Sequence, residues 1–433
     1  ALRRVNLFYN AVGPACAVFF RPKKPKDAKD KILYITPKQF FAKGVILRIL
    51  LDNNEFKYLP RKQCINDDSI WKIALWGNYL DWDLISRLNT FKQLKSFVEE
   101  KWVSSRGLQI GREEKRKKDS KKLIGLPYIE SKSLTKYIVN TDNYPKFEYD
   151  KIEAIGKPYI YKGVPKTLIK RGVTNYRVLS SYTEAKCCFN DSVIAICGNS
   201  DDKEILKALT IFLNSDFACY ILFSKAASWG VERPRMNKGE FLDLPVEPII
   251  SNRTVVEQLS EYYEDIAILQ AQYSVEPLRS QEIKKKIRNI ERKTNKVILD
   301  AFDLQKEEKY LIDDCVNQTI DLFFKGEKSN AYTTPSKADL QKYCRAFCSK
   351  VNSIAAYSNN FISARIFLAQ SPLTIVKFNF VKRGKGNKQI ECLLDNDIKK
   401  ILNKLDKYTF SMYRKSLFAS RVMKLFDGDD LYI

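Results

Sequence analysis

The sharpest pattern of apolar and polar positions in the chain runs from Ile205 to Pro248. Ile205, Leu206, Leu209, Phe212 and Leu213 fall at helical spacing. Asn214 and Ser215 interrupt that run and are placed to cap a second helix through Phe217, Tyr220 and Phe223. From Lys225 to Lys238 the apolar residues thin out, and Ser228, Trp229, Arg233, Arg235 and Lys238 take their place. An apolar strand ending in Pro245 and Pro248 is expected to follow. A basic, aromatic loop held between two rigid apolar elements is one way to build a reading head for a polyanion. Trp229 either anchors that loop by packing or stacks beside a base.

Around this stretch the periodicity changes twice. Before it, short runs bounded by turn residues predict strands at Tyr137–Asn140, Pro158–Tyr161, Thr167–Lys170, Tyr176–Ser181, Lys186–Phe189 and Ser192–Cys197. Such spacing suggests a compact, mostly antiparallel module. After it, residues 253 to 325 read as helix, with one apolar stripe through Val255, Leu259, Tyr262, Tyr263, Ile266 and Leu269. A second stripe runs through Ile283, Ile287, Ile290, Val297 and Ile298, beside the basic block Lys284, Lys285, Lys286, Arg288, Arg292 and Lys293. That block is either a solvated face or a phosphate contact.

The ends of the chain read less simply. Leu7–Ala11 and Ala15–Phe20 look like strands about a Gly13-Pro14 turn, Ile32–Thr36 like another, and residues 39–50 like a helix. A strand pair without covering helices cannot bury both faces, so the chain is expected to start inside a larger domain. Arg106 to Lys122 is charged and has no apolar stripe, suiting a surface loop or a linker across a phosphate backbone. Beyond residue 331, helix 338–352, strands 363–368 and 373–381, a hairpin tip at 383–387, helices 395–408 and 411–417, and a closing strand pair near 421–433 are predicted.

Composition narrows the partner. The net charge is +24 and the pI about 9.4, which favours nucleic acid over a neutral or cationic partner. There is no histidine, so Ser-His-Asp and Cys-His triads and histidine-bearing zinc sites are excluded within these residues. The ten cysteines include no CxxC; Cys344 and Cys348 share a helix face and suit core packing. Free cysteines fit a reducing, cytoplasmic setting, and no apolar run is long enough for a membrane span. The sequence holds no GxxxxGK[ST], no GxGxxG after a strand, and no Asn-Pro-Pro-aromatic tetrapeptide. Glu184-Ala185-Lys186 is only a loose echo of a nuclease pattern. No catalytic residue and no metal site is assigned.

Three stretches carry a resemblance: NLFYNAVGPACAVFF at 6–20; GVPKTLIKRGVTNYRVLSSYTEAKCCFNDSVIAI at 163–196 with the following Leu-Asn-Ser; and the closing Leu-Pro-x-x-Pro at 244–248 with VVEQLSEYYEDI. Together they resemble the C-terminal part of bacterial N6-adenine DNA methyltransferases of restriction–modification systems, type I-like or type IIG, over residues 1 to 320. The resemblance implies a multidomain α/β and α+β chain. It would comprise the tail of a Rossmann-like methyltransferase sheet (1–100), a mixed β-rich target recognition domain (101–250), a helical spacer (251–330) and an accessory α+β domain (331–433). The family's cofactor loop and catalytic tetrapeptide have no counterpart here. This chain would therefore read duplex DNA as a fragment or a subunit, while another methyltransferase or endonuclease segment acts on it. S-adenosylmethionine is implied for the full enzyme and not for these residues. Lys166, Lys170, Arg171 and Arg177 around the strands, and Ser228, Trp229, Arg233, Arg235 and Lys238 in the loop, are the DNA-contact candidates. Phe8 or Tyr9 would lie near a flipped base, or in a core. Two alternatives stay open: a type I specificity subunit, which usually carries two recognition modules separated by long helices, and a nuclease-bearing accessory protein.

Overall fold

A computed structural model describes residues 16–20, 30–36, 39–40, 48–49, 55–275, 279–333, 335–368, 374–382, 392–395, 425–427 and 430–432. The chain divides into two compact units, residues 1–331 and 332–433.

In the first unit the central element is a five-stranded sheet. Its order is Val103–Arg106, Val193–Cys197, Lys166–Lys170, Ser180–Thr183, Tyr137–Ile138; all neighbours are antiparallel except the last pair. Both faces of this sheet are covered. Ile169, Ile194 and Ile196 point into one core, while Leu168, Val193, Ala195 and Cys197 point into another. That is why Val193–Cys197 is apolar at every position instead of alternating. The first core is large. It draws Ile73, Leu84 and Leu94 from the early helices, Leu209, Phe212 and Phe223 from the middle, and Leu259, Ile298 and Phe323 from the late helices. The three segments that the sequence divides near residues 100 and 250 share this core.

The Leu-Asn-Ser break is the joint between sheet and helices. Helix Lys203–Leu213 lies on the sheet, and Asn214 ends it. The Asn214 Oδ1 accepts from the Ser180 backbone N–H at 3.0 Å. Its Nδ2 donates to the Ser180 carbonyl, the Ser180 Oγ and the Thr210 carbonyl, each at 2.9 Å. A side-chain amide thus mimics a strand neighbour for Ser180, satisfying backbone groups that are otherwise buried away from water. Ser215 then caps helix Asp216–Lys225, its Oγ accepting from the Ala218 N–H at 3.1 Å. The two-helix reading of residues 205–223 therefore holds.

Other expectations change. The apolar strand expected after Lys238 is two short helices, Lys238–Leu242 and Glu247–Ile250, because Asn237 and Glu240 form a capping box and Pro248 suits a first helical turn. The strand expected at 158–161 is a single helical turn, Tyr159–Lys162, after Pro158. The expected helix over 39–50 gives way, in its described part, to Gln39–Phe40 paired antiparallel with Arg48–Ile49. Residues 16–20 are irregular rather than strand. Phe8, Tyr9, the 383–387 hairpin tip and the helices expected at 395–408 and 411–417 lie outside the described residues, save for Asp395, which ends strand Cys392–Asp395.

Two long helices, Arg253–Val275 and Ser280–Ala301, follow, and shorter helices at Lys306–Asp314 and Ile320–Lys325 return to the same core. The two long helices cover the edge strand, where Glu291 accepts from the Lys136 Nζ at 2.6 Å and the Tyr137 hydroxyl at 2.9 Å. Lys284, Lys285, Lys286, Arg288, Arg292 and Lys293 stay exposed on the second helix. In the second unit, helix Lys337–Ile354 starts at a Ser336/Asp339 capping box and packs on strands Asn360–Leu368 and Thr374–Lys382. Cys344 and Cys348 sit in its core beside Ile366 and Phe378, as their shared face suggests. Among the described residues, no single helix is long and apolar enough to cross a membrane.

Candidate nucleic-acid interface

The basic loop is a rigid attachment to one end of the sheet. Trp229 is fully buried and packs edge-on against Phe223, with ring centroids 5.5 Å apart. Met236 is buried at the other end of the loop. Between them Gly230 takes a φ of +86°, and its carbonyl accepts from Trp76 Nε1 at 2.7 Å. A Cβ at Gly230 would lie 2.8 Å from Lys72 Nζ, so only glycine fits both the backbone and the space. The Ser228 carbonyl accepts from the N–H groups of Val231, Glu232 and Arg233, closing a tight turn. Gly172 and Arg235 then form an antiparallel bridge, which extends the sheet by a short piece of loop.

This docking gathers charge. Arg106 ends its strand opposite Ile194, Arg171 follows the 166–170 strand, and Arg235 arrives from the loop. All three face Asp191. Arg106 Nη2 is 2.7 Å from Asp191 Oδ2, and Arg171 Nη1 and Arg235 Nη2 are each 3.9 Å from the same oxygen. Arg171 is buried and its guanidinium is clamped: Nε donates to the Met236 carbonyl at 3.1 Å and Nη2 to Asn237 Oδ1 at 2.8 Å. Its Nη1 has no hydrogen-bond partner. Burial, then the guanidiniums of Arg106 and Arg235, hold the Arg171 pKa below its ordinary value. Three cations against one carboxylate make this end of the sheet an attractive seat for an anion.

The other candidates scatter. Lys166 is fully buried, its Nζ donating to the carbonyls of Ile160 at 2.9 Å and Tyr161 at 3.1 Å, so it is a structural lysine and not a phosphate contact. Trp229 is likewise an anchor and cannot stack on a base from where it sits. Lys170 is half-buried and donates to Thr174 Oγ1 at 2.9 Å. Arg177 points elsewhere, bound to Asp216 at 3.1 Å and Asn317 at 3.2 Å. Ser228 serves the turn through its carbonyl. Lys238 opens its helix at the loop's end, half-buried. Arg233 heads the loop, with 74% of its side chain exposed and its Nε 3.0 Å from Glu232 Oε1. Arg106 and Asp191 were not among the candidates; the only sequence signal was Arg106 at the start of the charged break.

A second polar spot lies on the same core. A cavity of about 70 Å³ is lined by Lys72, Trp76, Asp81, Phe223, Asp314 and Cys315. The buried Lys72 Nζ donates to the Phe223 carbonyl at 2.5 Å, and burial pushes its ammonium down to about 7. Burial also raises the Asp81 and Asp314 carboxyls. In the unfolded chain Lys72 holds its proton up to about pH 10.5, so between pH 7 and that value unfolding takes up a proton. Stability should therefore rise with pH across that window, by up to about 1.4 kcal/mol per pH unit. Lys72→Met should remove this slope in urea titrations run at pH 7.5, 8.5 and 9.5. An identical slope in the variant would show that Lys72 is charged in the fold.

Among the described residues no group of three or more His, Cys, Asp or Glu side chains is placed to hold a metal.

No family model matches the chain, and no curated protein does. Among solved structures it is similar to the HsdS subunit from Thermoanaerobacter tengcongensis, at 12% identity and a TM-score of 0.24, over 64% of this chain and 64% of that one. It is also similar to a chain from a structure of complex assembly and conformational transition of the type I R-M system, at 11% identity and a TM-score of 0.22, over 60% of this chain and 65% of that one. The chain thus spans a little under two thirds of the length of these proteins, and at such TM-scores the likeness carries no argument about how it works.

Proposed function

We propose that this chain reads the sequence of duplex DNA for a restriction–modification system and leaves the chemistry to another segment or subunit. The observation that carries the reading is the convergence of Arg106, Arg171 and Arg235 at one end of the sheet, beside a loop whose remaining basic head, Arg233, faces solvent. The cluster supplies fixed positive charge to hold the phosphate backbone and set register; the loop supplies a side chain able to reach a base edge. The net charge of +24 supplies the long-range attraction.

Between the two assignments within that system, a specificity subunit of type I kind is favoured over the C-terminal part of an adenine methyltransferase. Residues 61–101, which the methyltransferase reading makes part of a sheet's tail, form four helices instead, and those at Ser69–Trp76, Tyr79–Leu88 and Leu94–Lys101 pack into the core of the recognition segment. Neither assignment calls for S-adenosylmethionine within these residues. In the favoured arrangement a separate catalytic partner would bind the cofactor, and this chain would supply only DNA contacts.

The test is the salt dependence of duplex binding by the intact chain. The logarithm of affinity should fall linearly with the logarithm of salt, with a slope corresponding to several phosphates at roughly 0.9 each. A flat salt response, or no binding at low salt, would remove the reading.

A further inference from the structure

The Arg106–Arg171–Arg235 cluster is built for more oxygen atoms than it now meets. Asp191 Oδ2 is close to one guanidinium only, at 2.7 Å from Arg106; the other two stand off at 3.9 Å. Arg171, with 7% of its side chain exposed, cannot turn its spare N–H to water, because its Nε and Nη2 are already committed to the Met236 carbonyl and Asn237. A buried donor left without an acceptor costs free energy, so a site that holds one fixed in place is preformed for an acceptor that is not yet there. Asp191 does not fill that role as it stands: its Oδ2 accepts from Arg106 at 2.7 Å and lies 3.9 Å from Arg171 Nη1. Arg235 is similarly underused, its Nη2 lying 3.5 Å from Ser192 Oγ.

We propose that these three arginines form a phosphodiester site of the duplex and that Asp191 is its resident counter-anion, displaced when a backbone phosphate enters. The proposal rests on the DNA-reading assignment for the identity of the ligand, though not for the existence of the site. A phosphate group is free to settle between the three guanidiniums, and its oxygens can accept from Arg171 Nη1 and Arg235 as well as Arg106. Asp191 is one-third exposed and can swing to water as the phosphate takes its place. In the absence of DNA it screens the arginines from one another. During encounter it subtracts from the affinity for any phosphate, so that the cluster contributes fully only when the neighbouring contacts have fixed the register.

The test uses the intact chain with two probes, inorganic phosphate and a duplex of arbitrary sequence, and compares Asp191→Asn with wild type. Asp191→Ser serves if the amide variant fails to fold, and Glu148→Gln, at an exposed carboxylate outside the cluster, controls for the loss of one negative charge. Removing the competing carboxylate should tighten duplex binding about tenfold and strengthen phosphate binding as well. Glu148→Gln should give no more than a twofold change, and adding Arg235→Ala should cancel the gain. An Asp191→Asn effect no larger than that of Glu148→Gln would overturn the proposal, leaving general electrostatics as the account. The two readings fail separately. If Asp191→Asn strengthens phosphate binding but no form binds duplex, the site stands and the DNA assignment falls. If duplex binds with the expected salt slope and Asp191→Asn changes neither probe, the DNA assignment stands and the site falls.

Discussion

Asn214→Ala is expected to destabilise the first unit by about 3–4 kcal/mol. The substitution removes the acceptor that Asn214 gives the Ser180 N–H and the donor that it gives the Ser180 carbonyl, at a residue that is fully buried. Each buried backbone group left without a partner costs roughly 1–3 kcal/mol, and the lost bond to the Thr210 carbonyl adds to this. Ser215→Ala, by contrast, removes one cap bond and should cost only about 1 kcal/mol. Urea titration with tryptophan fluorescence measures this unit selectively, since the five tryptophans, residues 71, 76, 82, 102 and 229, all lie within residues 1–331. The midpoint should drop with an unchanged m-value. A loss below 1 kcal/mol for Asn214→Ala would mean that the joint between helix and sheet lies elsewhere.

The second large effect is on binding. The double variant Arg106→Ala/Arg235→Ala removes two of the three guanidiniums at the end of the sheet while leaving the clamped Arg171 to hold the loop. Charge-assisted hydrogen bonds to phosphate are worth roughly 1.5–3 kcal/mol each, so duplex affinity at low salt should fall by about two orders of magnitude. The salt slope should fall by about one, as expected for one phosphate contact. Stability should hardly move, because both side chains are about half exposed. An affinity within threefold of wild type, with the fold intact, would place the interface on another surface. The exposed basic face of the Ser280–Ala301 helix would then be the first alternative.

How far these features were legible in the sequence follows from their range. Helical spacing and the Asn-Ser break sufficed for the helices at 203–225, because caps and amphipathic stripes are local. The bonds that make Asn214 matter were out of reach, since Ser180 is brought to it by sheet pairing. Lys166 misled for a similar reason. In Lys-Thr-Leu-Ile-Lys it looks like the polar end of a strand, yet both faces of the sheet are covered and two carbonyls of the Tyr159–Lys162 turn receive its ammonium. Trp229 was left open between anchor and base contact, and only its burial against Phe223 makes it an anchor. The cluster itself was half legible. Arg171 and Arg235 were named, but Arg106 and Asp191 lie 85 residues apart in the chain and meet only because Arg106 pairs with Ile194. The short helices after Lys238 show a local signal outweighing a pattern: the Asn237/Glu240 capping box starts a helix where the apolar run alone suggested a strand.

Sequence reading, rather than mere attraction to a polyanion, is the central claim, and selection from a pool of randomised duplexes tests it most directly. The intact chain should enrich one recognisable sequence over successive rounds. Arg233→Ala, which removes the exposed head of the loop, should relax the preference at one position by roughly 1–3 kcal/mol while overall affinity stays within a few fold. A bound pool with the same base composition at every position as the starting pool would contradict the account, whatever the affinity.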